Sequence, residues 1–147
     1  MTSEITIGSS VTLPVSFSDA FKLISQLDHL KKWFAEDVNL GPVVGGKFYF
    51  AGLGAYAPTS TTFTLFEVDS GIGWTWPIHD VVGDVKLAVI EAEEPNSTKA
   101  EVSCQFAELP KVPRARELVD DLWRFHLGNL KTLAESNGGT ILPDFSD

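Results

Sequence analysis

Residues 114–137 constrain the chain most. On a helical wheel Leu118, Val119, Leu122, Trp123, Leu130 and Leu133 form one broad apolar face, with Glu117, Asp120, Asp121, Arg124, Lys131 and Glu135 opposite. A helix this long and this one-sided must lie along a large hydrophobic surface. Two polar residues, His126 and Asn129, fall inside the apolar arc.

The rest of the chain predicts a sheet able to supply that surface. Residues 5–13 alternate loosely as a strand, and Pro14 ends it. Ser16 or Ser18 can cap a helix in which Phe17, Ala20, Phe21, Ile24 and Leu27 recur at helical spacing. Asp28 reads as the cap of a second short helix that turns Leu30, Trp33 and Phe34 inward. From Lys47 the period becomes two, and the pattern predicts strands at 47–51, 61–69, 73–78, 84–93 and 98–107, with a brief one at 36–40. Short turns at Ser70-Gly71 and Pro95-Asn96-Ser97 imply antiparallel neighbours. Asn137-Gly138-Gly139 supplies a C-cap for the last helix.

The expected class is therefore α+β: an antiparallel sheet, two short helices after the first strand, and one long C-terminal helix. A single helix covers only one face of such a sheet, and a curved sheet wrapped round it encloses a cavity. Residues 1–137 are expected to form one domain. Residues 138–147 form a tail in which Ile141, Leu142 and Phe145 are candidates to dock on it.

Composition excludes several functions. The formal charge is −9, from 20 acidic and 11 basic residues, so nucleic acid and anionic membranes are not expected as partners. There is no signal-like N-terminus and no apolar run long enough to cross a bilayer. With a single cysteine, Cys104, a cytoplasmic setting is expected. His29, His79 and His126 lie in different elements without ligand spacing, so neither a metal nor another cofactor is expected. Cys104, between Val102 and Phe106 on a strand, reads as a buried and inert thiol. Glu67 and Asp69 read as solvated. Gly52-x-Gly54-x-x-Ala57 matches a dinucleotide fingerprint only formally, because Pro58 and a Thr-rich strand follow where a helix is needed. The stretch 52–60 reads instead as a loop at the mouth of the cavity.

Four motifs occur in order: Trp33-Phe34, Gly45-Gly46-Lys47-Phe48, Trp74-Thr75-Trp76 and Trp123-x-x-His126-Leu127-x-x-Leu130. Together they resemble the START-like, Bet v 1-like (SRPBCC) superfamily with its helix-grip fold. More narrowly, they resemble the branch named after the activator of the Hsp90 ATPase (AHSA1-like). The resemblance implies a curved antiparallel sheet gripping the C-terminal helix, with a pocket for apolar molecules between them. It carries over no catalytic residue. The separate N-terminal domain and the Asn- and Trp-rich opening motif of the eukaryotic co-chaperone are missing from this sequence, so direct activation of Hsp90 is not expected.

The leading expectation is a non-enzymatic protein that holds a small hydrophobic or amphipathic ligand, lipid-like or aromatic, with a role in stress response implied by the family name alone. Its expected ligand contacts are His126, Asn129, Trp33, Trp76, Phe48 and Trp123. Phe34 and Trp74 belong to the same aromatic set. One alternative is a cyclase- or aromatase-like enzyme using His126, Tyr49 or Tyr56 in the same pocket. The other is a co-chaperone that meets a chaperone partner through its surface. Oligomeric state is left open.

Overall fold

A computed structural model describes residues 5–51, 58–78 and 81–135. The elements run β1 (Ile5–Leu13), α1 (Phe17–Ser25), α2 (Leu27–Trp33), β2 (Asp37–Leu40), β3 (Lys47–Ala51), β4 (Thr59–Glu67), β5 (Gly71–Ile78), β6 (Val81–Glu91), β7 (Thr98–Phe106) and α3 (Ala115–Glu135). Seven antiparallel strands form one sheet in the order β1-β7-β6-β5-β4-β3-β2. This is the helix-grip arrangement expected from the sequence.

Alternation decides which side of the sheet is the core. On β6, Val81, Val85, Leu87 and Val89 are buried while Val82, Asp84 and Lys86 face outward. On β7, Val102, Cys104 and Phe106 are buried in the same way. The apolar stripe of α3 meets this face through Val119, Leu122, Trp123, His126, Leu127, Leu130 and Leu133. At the two edge strands α3 lies near β1 and α2 near β2, and α2 and α3 are neighbours.

Some expected boundaries move for identifiable reasons. Asp28 is not the cap of α2. The helix starts at Leu27 behind Gln26, which makes no side-chain cap bond, and Asp28 lies in the first turn, where its charge favours the helix N-terminus. Arg114 has a φ of 55°, so α3 begins one residue after it. Strand β4 starts two residues earlier than its pattern suggests and β6 three, and the turn between β4 and β5 runs over 68–70, closed by the Ser70 N–H on the Glu67 carbonyl, so that Gly71 already belongs to β5. Leu118 and Asn129 sit half-buried at the margins of the α3 stripe. The Asn137-Gly138-Gly139 cap and the tail with Ile141, Leu142 and Phe145 lie outside the described residues.

One glycine has a packing reason. Gly83 pairs with Trp76, and a Cβ on it would lie 2.5 Å from the ring of Phe106. Only hydrogen at that position lets the Phe106 ring lie against the strand.

Candidate functional site

Three parts of the fold deliver aromatic side chains to one place. Alternate residues of β3 and β5 present Phe48 and Phe50, and Trp74 and Trp76, to the concave face. Phe63 of β4, the register partner of Trp74, stacks on Phe48 at 4.7 Å. The end of α2 brings Trp33 and Phe34. One turn of α3 brings Trp123 and His126 to the same side, as spacing of three residues requires.

Phe34 lies at the centre. Its ring is nearly parallel to those of Phe48 (6.0 Å, 18°) and Trp123 (6.3 Å, 21°). Phe50, Trp74 and Trp76 meet it edge-on at 4.9, 5.9 and 5.9 Å. His126 lies 4.9 Å away. Phe34 is 2% exposed, and Trp33, Phe48, Trp74, Trp76, Trp123 and His126 are no more exposed than that. At these side chains, the cavity expected between sheet and helix is filled by the protein's own rings.

The polar atoms of the cluster are unequally served. The Trp33 indole N–H donates to the Leu23 carbonyl at 2.7 Å, satisfying one of the carbonyls that the last turn of α1 leaves open. Burial lowers the pKa of His126 to about 4, against the opposing pull of the Trp33 backbone carbonyl, so the ring is neutral at pH 7. Its Nδ1 is buried without a hydrogen-bond partner. The Trp74 indole N–H is likewise buried and unpartnered. The Trp123 N–H makes no hydrogen bond of normal length, but it faces the thiol of Cys104 and modestly offsets the burial that pushes that thiol up to about 12. Cys104 is thus the inert thiol that the strand pattern predicts.

Five of the six expected contacts, Trp33, Phe48, Trp76, Trp123 and His126, fall within this cluster. Asn129 does not share its ring contacts and is half-buried one turn further along α3. Phe34 and Trp74 have the most central places, although the sequence offered them only as members of an aromatic set. The signal for Phe34 was its place with Leu30 and Trp33 on the inward side of the second short helix, of which it is the C-cap residue. Tyr49 alternates with Phe48 and Phe50 and so faces away from the cluster. Glu67 and Asp69 are exposed, the latter in a turn at φ 58°. Tyr56, His79 and the 52–57 segment lie outside the described residues. Among the described residues no three His, Cys, Asp or Glu side chains gather as a metal site would require, and no helix is long and apolar enough to cross a membrane.

Residues 14–135 match the family model described as Activator of Hsp90 ATPase homolog 1-like protein. No curated protein matches the chain. The solved structure of EF2215 from Enterococcus faecalis, a conserved protein of unknown function, is similar over 95% of this chain and 77% of its own, at 21% identity and a TM-score of 0.71. The Aha1 dimer from Colwellia psychrerythraea is similar over 92% of this chain and 99% of its own, at 17% identity and a TM-score of 0.74. DynU16, from the dynemicin biosynthetic locus, is similar over 90% of this chain but 48% of its own, at 11% identity and a TM-score of 0.77. At these identities the likeness is one of fold.

Proposed function

The chain belongs to the Activator of Hsp90 ATPase homolog 1-like family, and from that premise we propose that it is a binding protein for a small amphipathic aromatic molecule held between the sheet and α3. The helix-grip fold is a ligand-binding fold, and the aromatic cluster stands where such a fold holds its guest. The observation that carries the reading is the set of unserved polar atoms, the Trp74 and Trp123 indole N–H groups and His126 Nδ1, buried inside the aromatic cluster. A buried polar group without a partner costs about 1–3 kcal/mol, so a purely structural core gains nothing from keeping them. A guest that bonds to them recovers that loss. Its apolar part adds about 25 cal/mol for each Å² removed from water.

Among the described residues the enzymatic alternative would rest on His126, the titratable side chain in ring contact with Phe34. A role in stress response rests on the family description. A cytoplasmic setting is supported by the unpaired thiol of Cys104.

Native mass spectrometry of the purified protein, together with a thermal-shift screen of hydroxylated aromatics, tests the proposal. A co-purifying mass, or a rise in Tm with a hydroxylated aromatic that His126→Leu abolishes, is the expected result. If the screen leaves Tm unchanged and no mass is carried, the binding reading fails.

A further inference from the structure

We propose that β1 is a dimerisation strand, and that its open edge pairs antiparallel with β1 of a second copy of this chain, about a two-fold axis at Ser9. The two seven-stranded sheets then run on as one. The pairing does not depend on what the aromatic cluster holds. Three observations lead there.

The first is the edge itself. β1 bonds to β7 along one side only, so the N–H and C=O groups of alternate residues point away from the sheet. No described backbone group outside the sheet bonds to residues 5–13. Natural sheets blunt such edges by making them short or charged. The other edge follows that rule: β2 has four residues, begins at Asp37 and comes directly after Glu36. β1 breaks it, with nine residues, no charge and no proline.

The second is exposure beneath α3. Ile5, Ser9 and Val11 point towards the face on which α3 lies, yet they are only half-buried. The inward residues of β7 beside them, Val102, Cys104 and Phe106, are fully buried. What β1 lacks is a neighbour on its far side, and the helix does not supply one.

The third is self-complementarity. A two-fold interface sets residue i against j and j against i. About Ser9 the strand reads alike in both directions: Ile5 faces Leu13, Thr6 faces Thr12, Ile7 faces Val11 and Gly8 faces Ser10. The inward pairs are apolar and the outward pairs small or polar. Ser9, the polar residue of the inward set, meets the Ser9 of the second copy. Shifting the centre by one residue sets it against Ile7 or Val11 instead. Charge agrees. Each copy carries −9, so two copies repel wherever their acidic surfaces meet. Paired at β1, the outward rows set Lys99 and Thr12 in line with Thr6 and Gln105 of the second copy, and Glu101 and Ser10 in line with Gly8 and Ser103, with no like charges opposed.

Sedimentation velocity over a range of concentrations, together with cysteine cross-linking, tests the proposal. The wild type should dimerise reversibly. Ser9→Lys sets two ammonium groups at the axis and should weaken the dimer about a hundredfold or more. Val11→Lys serves as a second disruptor should Ser9→Lys fold poorly, with circular dichroism and Tm showing that the variant used is folded. For the register, directly opposed residues have Cα atoms about 4.5–5.5 Å apart, within disulfide range. Under mild oxidation Ser9→Cys should therefore form a disulfide-linked dimer by itself. Thr6→Cys should not, but should do so when mixed with Thr12→Cys. Cys104 is buried and gives little background. A wild type that stays monomeric at millimolar concentration overturns the proposal. So does a dimer that a folded lysine variant leaves intact, or one in which Ser9→Cys fails to cross-link.

Discussion

His126 is the residue at which fold and chemistry meet most closely. The free imidazole takes up its proton near pH 6.5, whereas the buried ring does so only near 4. Between these values the unfolded chain holds a proton that the folded chain lacks, so stability falls as the pH drops through that window. The full difference is about 3 kcal/mol, at 1.36 kcal/mol per pH unit. Urea denaturation of the wild type and His126→Leu from pH 8 to pH 4 should show a constant gap above pH 7. Below pH 6.5 the wild type should lose about 3 kcal/mol more than the variant. Parallel profiles would mean that the ring is not held neutral by burial. The helical wheel placed His126 correctly in the apolar stripe, because spacing alone fixes which face a residue takes. It put Asn129 there too, although that side chain lies at the stripe's margin, where a wheel cannot separate inside from edge. Nor could spacing tell that His126 Nδ1 would go unserved, since the rings around it come from other elements.

At the scale of elements, the joint between α1 and α2 matters most. The Trp33 indole ties the end of α1 to the end of α2, and Trp33→Phe leaves the Leu23 carbonyl buried without its donor. We expect a loss of about 1–3 kcal/mol in chemical denaturation, with faster amide exchange in the last turn of α1. Unchanged stability would show that the bond is replaced by water. Two glycines make a contrasting pair. Gly128 on α3 is exposed with open space around it, so Gly128→Ala should stabilise the protein by about 1 kcal/mol. Gly83→Ala drives a methyl group into the Phe106 ring and should destabilise by about 1–3 kcal/mol. Thermal melts of the two variants should move in opposite directions. Most of the elements were legible because the period changes from 3.6 to 2 at Lys47 and turn residues punctuate the strands. The ends were less so: the left-handed φ of Arg114 and the bare start of α2 depend on neighbouring elements rather than on local pattern.

At the scale of the molecule, the antiparallel order leaves β1 and β2 as edges, with α3 near the first and α2 near the second. The aromatic cluster lies where β3, β4, β5, α2 and α3 come together, so its rings come from five separate stretches of sequence. Order and spacing of motifs could suggest this meeting but not how full it would be. A count of aromatics is the same for a packed core and for a lined cavity. The account holds that a hydroxylated aromatic guest binds at this place and serves the Trp74 N–H. The direct measurement is the ¹H–¹⁵N spectrum of the four tryptophan indoles during titration with 2-naphthol. The Trp74 resonance should move downfield and its exchange with water should slow, with a smaller change on adding naphthalene. A Trp74 signal indifferent to 2-naphthol up to its solubility, or one that responds equally to naphthalene, would contradict the account.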